Sequence, residues 1–188
     1  VVALLLADPR VDPAVGNKYP ITKASFHGHD KVVALLLKDP RVDPSVDDNW
    51  VIKCASCNGY ARMVALLLAD PHVNPSAEDN YAIRHAAMSG YDKVVALLLA
   101  DHRVDPSANN NEAIRWASRK GHDKVVALLV TDPRTDPSAN DNEAVKYAST
   151  NGHDKVVVLL LTDLRMVLST DEKAILLDST SIYHFNIY

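Results

Sequence analysis

Residues 80–111 read NYAIRHAAMSGYDKVVALLLADHRVDPSANNN, and the stretch divides into three physical units. Asn80 precedes a short helical run, Tyr81 to Met88, and is placed to serve as its N-cap. Ile83, Ala86 and Ala87 share one face of that run at three- and four-residue spacing, and the small alanines let a neighbouring helix approach closely. Gly90 ends this first helix as a residue able to take positive φ. Asp92 then opens a second helix, its carboxylate matched to the positive end of the dipole, and Val94-Val95-Ala96-Leu97-Leu98-Leu99 follow. That apolar stripe is too wide for a surface helix, so the second helix is expected to lie between neighbours. The unit closes in a connector whose fuller form is Asp-Pro-Arg-Val-Asp-Pro-Ser, as at Asp39 to Ser45. Proline just past a helix end forbids continuation, and Val42, Val73 and Val104 are expected to turn inward from the connector.

Outward from this stretch the same unit recurs. Gly28, Gly59, Gly90, Gly121 and Gly152 lie 31 residues apart, and Ala24, Ala55, Ala86, Ala117 and Ala148 keep the same register. A fixed period of this length is the signature of a stacked array, in which each unit contacts only its neighbours. Burying one Val or Leu contributes roughly 1.5–3 kcal/mol. Ordering a unit costs on the order of 1.5 kcal/mol per residue. One unit therefore cannot fold alone, and stacking must supply the missing burial.

Gly-His-Asp-Lys-Val-Val-Ala-Leu-Leu-Leu at 28–37, with its counterpart from 121, resembles the Gly-His-x-x-Val-Val-x-x-Leu-Leu core of the ankyrin repeat family. Ile-x-x-Ala-Ala/Ser before it resembles the end of the family's Thr-Pro-Leu-His-x-Ala-Ala element, and Val-Asp/Asn-Pro stands where the family has Val-Asn-Ala. The resemblance covers about residues 1–170. It implies an all-α fold, a right-handed α-solenoid of stacked helix–turn–helix repeats. The Thr-Pro and His of the family element are replaced by Tyr81-Ala82 and Arg84, or by Glu112-Ala113 and Arg115, so the usual capping bonds are expected to be absent. The unit is also short in the connector, which implies stunted fingers with little or no β-structure. His29, His122 and His153 occupy the family's Gly-His position, where the imidazole has a structural role bonding the inter-helix turn.

The expected organisation is a repeat array over 1–170 and a degenerate C-terminal cap with a loose tail over 171–188. Within the array, 1–15 is a partial first repeat, and helix pairs follow near 19–38, 50–69, 81–100, 112–131 and 143–162. Residues 1–7 read as a second helix without its first, which suggests a piece of a longer array. Beyond it the proline positions become Leu164 and Leu168, and Ser169-Thr170-Asp171-Glu172 can cap one more helix, Lys173 to Asp178, able to cover the last repeat. The final stretch, Ser179 to Tyr188, has no periodicity.

Composition narrows function. A net charge of −4 gives no global attraction to nucleic acid or anionic membrane, and no apolar run approaches the ~20 residues of a membrane span. Two cysteines are too few for a disulfide framework, which points to an intracellular protein, cytoplasmic or nuclear. Cys54-Ala55-Ser56-Cys57 has CxxC spacing, but zinc needs about four ligands and only His85, in the Cys54 slot of the next copy, could join them. Two reduced thiols are the expectation, with neither metal nor cofactor. Asp39 and its counterparts form a carboxylate row, yet a residue repeated in every copy serves the repeat, and catalysis has no candidate residues.

Variation among copies marks the positions free of structural duty. Before the constant Ala come Lys23, Cys54, His85, Trp116 and Tyr147, and two before the Ile/Val come Tyr19, Trp50, Tyr81, Glu112 and Glu143. Large aromatics at such slots are natural anchors for a partner. In ankyrin-like stacks first helices and connector tips line the concave side, which implies a partner-binding set of Phe26, His27, Trp50, Cys57, Asn58, Tyr81, Met88, Ser89, Trp116, Arg119, Lys120, Thr150 and Asn151. Arg115 and Lys146 would add positive charge at the far end. The expected function is a monomeric, non-catalytic protein–protein interaction module. A passive spacer or fragment of a larger array is the alternative, and a metal or redox CxxC protein is a distant third.

Overall fold

The computed structural model describes residues 1–163, 165 and 169–178. Among them are α1 (Val2–Leu6), α2 (Val15–Phe26), α3 (Asp30–Leu36), α4 (Val46–Cys57), α5 (Ala61–Leu68) and α6 (Ala77–Met88). There follow α7 (Asp92–Leu99), α8 (Ala108–Lys120), α9 (Asp123–Thr131), α10 (Ala139–Thr150), α11 (Asp154–Leu161) and α12 (Thr170–Asp178). No strand occurs among the described residues. The even-numbered helices from α2 to α10 stack side by side as one layer, and α1, α3, α5, α7, α9 and α11 form the second. The five helix pairs of the sequence reading are α2/α3, α4/α5, α6/α7, α8/α9 and α10/α11.

The core is a continuous seam between the layers. Ile21, Ile52, Ile83, Ile114 and Val145 of the first helices meet Val33, Val64, Val95, Val126 and Val157 of the second, all fully buried. Ala55, Ala86, Ala117 and Ala148 are also fully enclosed, which allows the close approach that small side chains permit. Val42, Val73 and Val104 turn inward from the connectors as expected, and Thr135 takes the same buried place with no hydrogen-bond partner for its hydroxyl.

Gly90 closes α6 in a Schellman turn. It takes φ +79°, its N–H donates to Ala87 O at 3.2 Å, and the Tyr91 N–H donates to Ala86 O at 3.0 Å. A second constraint lies across the repeat boundary. A Cβ on Gly90 would sit 2.7 Å from His122 Nδ1, because the ring of the following repeat rests on the glycine. At Gly152 no neighbour among the described residues comes within 4 Å of that position.

Two departures from the sequence reading concern how repeats are joined. Asn80 was expected to cap its helix, yet no side-chain cap bond forms. Instead Glu78, Asp79 and Asn80 form a left-handed turn (φ 50°, 52° and 60°) before the right-handed helix begins. Asx residues tolerate that conformation best, and the corresponding turns at the starts of α8 and α10 are built wholly from Asn and Asp. The turn buries the Asn80 side chain, whose Oδ1 accepts the Asp105 N–H of the next connector at 2.7 Å. Asn49 and Asn111 do the same for Asn74 and Asp136.

The carboxylate row serves the repeat, through arginine. Asp132 grips Arg134, whose Nη1 donates to Val104 O at 2.7 Å and whose Nη2 donates to Leu99 O at 2.8 Å in the preceding repeat. Arg103 and Arg165 repeat the staple, whereas His72 in the same slot bonds only to Asp70. The imidazoles of His122 and His153 are structural too, but they act between repeats rather than within one turn. Nε2 of His122 donates to Met88 O and Nε2 of His153 to Arg119 O, each at 3.0 Å.

At the ends, α1 packs on α3 and leaves Val1, Leu4 and Leu5 exposed. The capping box before α12 forms as read: Ser169 N–H donates to Glu172 Oε2 at 2.9 Å, and Glu172 N–H donates to Ser169 Oγ at 3.2 Å. That helix packs on α11, with Leu176 against the core. Leu164, Leu168 and the tail 179–188 lie outside the described residues.

Candidate functional site

All of the sequence-selected residues fall on the first-helix layer: Trp50 and Tyr81 near the start of a helix, Trp116 within α8, and the rest at a helix C-terminus or just past it. The layer has two distinct regions.

The first spans α2, α4 and α6. Phe26, at the end of α2, is 54% exposed, and its ring lies 6.4 Å from that of Trp50 at an interplanar angle of 22°. His27 meets Phe26 edge-on at 5.2 Å. Below them a cavity of about 320 Å³ is lined by Phe26, Trp50, Lys53, Cys54, Cys57, Asn58, Glu78 and Tyr81. A second of about 350 Å³, lined by Thr22, Lys23, Phe26, Asp47 and Trp50, opens on the other side of the aromatic pair. Phe26, Trp50, Cys57, Asn58 and Tyr81 are thus brought together as lining of one cavity. Tyr81 is stacked on His85 at 3.6 Å, which fixes its ring.

Lys53 was missed by the sequence reading. It is buried, and its ammonium is held by Glu78 of the next repeat and by Asp48 at 3.7 Å. The hydrogen bond from Lys53 holds the Glu78 carboxyl below its usual range. Only its apolar neighbours on the same helix could have hinted at this, since a lysine in a first helix ordinarily faces water.

Burial pushes the Cys54 thiol up to about 11, with Cys57 adding to the rise. Burial raises Cys57 as well, against a hydrogen bond from Tyr81. Both thiols are protonated near neutrality and poorly suited to thiolate chemistry. Among the described residues no group of three His, Cys, Asp or Glu side chains is placed to hold a metal ion.

The second region spans α8 and α10. The Arg119 guanidinium lies 4.9 Å from the Trp116 ring and 5.1 Å from the Tyr147 ring, held between two aromatic faces. Trp116 Nε1 donates to Glu112 Oε1 at 3.0 Å. A hydrogen bond from Tyr147 is the main influence holding Glu143 below its usual range. Both glutamates also receive an arginine from the preceding repeat, Arg84 to Glu112 and Arg115 to Glu143. Arg115 is therefore a structural ion-pair member rather than surplus charge. Lys146 lies 3.9 Å from Asp141 in an exposed pair. Lys120, Thr150 and Asn151 are exposed, as are Asn58 and Ser89, while Met88 is half-buried.

Helix pairs stacked in two layers, with no strand among the described residues, define a helical repeat array. The sequence model described as "Ankyrin repeats (3 copies)" matches residues 52–141 and 83–171, together more than half of the chain, and the chain belongs to the ankyrin repeat family. No curated protein matches it. Ankyrin repeats are generally protein–protein interaction modules, and the family is typically non-enzymatic. No helix among the described residues is long and apolar enough to cross a membrane.

Proposed function

We propose that the chain is a non-catalytic interaction module that takes a partner protein along the concave face of its stack. Its contacts are Phe26, His27, Trp50, Cys57, Asn58 and Tyr81 at one end and Trp116, Arg119 and Lys120 at the other, with Met88, Ser89, Thr150 and Asn151 between and beyond them. The observation that carries this reading is the exposed Phe26 stacked on Trp50 above an open cavity. A fold gains nothing by leaving a large aromatic in water at a slot that other repeats fill with Cys57, Met88, Arg119 and Thr150, and such aromatics are the common anchors of interfaces. The second-helix layer instead presents Lys93, Lys124 and Lys155 to solvent at one repeated position, which carries no individual information.

The test compares Phe26→Ser/Trp50→Ala with Lys93→Glu/Lys124→Glu in affinity capture quantified by mass spectrometry. Proteins retained by the native chain and by the lysine variant, but lost from the aromatic variant, support the proposal. The reverse pattern would sink it.

A further inference from the structure

The array contains nine arginines. Arg10, Arg41, Arg84, Arg103, Arg115, Arg134 and Arg165 are each paired with a carboxylate. Arg62 and Arg119 are exposed and have no carboxylate partner among the described residues. Arg119 differs from Arg62 in being held: Trp116 and Tyr147 cover the faces of its guanidinium, and each ring is tied by its polar atom to a glutamate already neutralised by another arginine. Stacking covers the faces of a guanidinium but leaves its in-plane N–H donors at the edge. Those donors match a carboxylate in bidentate fashion, and the side-chain entropy of fixing them has already been spent in the free protein.

We infer that Arg119 is a preset carboxylate receptor, and that together with the Phe26/Trp50/Tyr81 cavity it selects an extended partner segment carrying a large apolar residue and an acidic residue at a fixed separation. This rests on the first-helix layer being the binding face. The separation follows from the stack. The cavity sits between α4 and α6 and Arg119 between α8 and α10, two helix steps apart. Helices pack about 8–10 Å apart, so the two sites are about 16–20 Å apart. An extended chain advances about 3.3 Å per residue, which places the acidic residue about five to six positions from the apolar one. The carboxylate is that of an Asp or Glu side chain, because a free anion has no chain to hold it at that distance from an anchor and the segment continues past the site.

The probe is a random dodecapeptide display library panned on the full chain, followed by affinity measurements on synthetic copies of the enriched peptides. Enriched sequences should carry Asp or Glu about five to six residues from an aromatic or large aliphatic residue. Arg119→Ala should weaken them about ten- to a hundredfold, the usual worth of a charge-assisted bond. Arg119→Lys, which keeps the charge and loses the planar fork, should recover only part of that loss. Changing the peptide's Asp to Asn should erase the difference between native protein and Arg119→Ala. Peptides that depend on Trp50 but tolerate Arg119→Ala would overturn the receptor and leave the groove standing. No enrichment, or enriched peptides indifferent to Trp50, Phe26 and Arg119 alike, would overturn the groove itself.

Discussion

Gly90 to alanine separates two costs that usually arrive together. The first is backbone: at φ +79° an L-residue loses about 1–2 kcal/mol relative to glycine. The second crosses the repeat boundary. The new Cβ would lie 2.7–3.0 Å from three atoms of the His122 ring, which cannot yield without breaking its bond to Met88 O. Displacing a packed ring costs about 1–3 kcal/mol, and the lost hydrogen bond about 0.5–1.5 kcal/mol. Gly90→Ala should therefore destabilise the array by about 2.5–6.5 kcal/mol. Gly152→Ala, at φ +72° with no neighbour among the described residues within 4 Å, should cost only the backbone part. The assay is equilibrium urea unfolding by far-ultraviolet circular dichroism, run as a double-mutant cycle with His122→Ala. With the ring removed, Gly90→Ala should fall to about 1–2 kcal/mol, the backbone cost. An equal cost in the native and His122→Ala backgrounds would refute the argument, because the inter-repeat contact would then contribute nothing.

Thr135→Val should raise stability by about 1 kcal/mol or more, read as a higher urea midpoint, since it removes a buried hydroxyl without a partner and restores the residue type of Val42, Val73 and Val104. Acid should loosen the connectors: Arg41 holds Asp39 down to about 2, and Arg103, Arg134 and Arg165 lower Asp101, Asp132 and Asp163. Depressed folded-state values mean the unfolded chain binds protons first, so stability is full above about pH 4 and falls as pH drops towards about 2. An Asp101→Asn/Asp132→Asn variant should be less stable at neutrality and show a shallower acid limb in a pH series of urea midpoints. Cys54 should react with iodoacetamide at pH 7.5 about a hundredfold more slowly than an exposed thiol, and zinc should leave the melting temperature unchanged. Stoichiometric zinc binding would contradict the reading of Cys54 and Cys57 as two reduced thiols.

The 31-residue period, by itself, determined the helix pairs and the residues equivalent from copy to copy, while the layer each helix belongs to followed from the resemblance to ankyrin repeats. Ile83, Ala86 and Ala87 could be placed on one buried face because apolar spacing along one helix is a local property. The turn at Gly90 and the capping box at Ser169 and Glu172 were equally local, with partners that lie within five residues of one another. Only the tertiary structure decided what joins one repeat to the next. Asn80 to Asp105, Arg134 to Leu99 and His122 to Met88 connect residues 25 to 35 positions apart. Periodicity shows that such residues are equivalent from copy to copy, but not which neighbour each one reaches. Asn80 looked like a cap because the left-handed turn that swings its amide into the next connector leaves no mark in apolar spacing. The same limit applied to the site. Variable slots could be placed on the first-helix layer, yet that Arg115 is spent on Glu143 while Arg119 is held open between Trp116 and Tyr147 depends on the distance between adjacent helices.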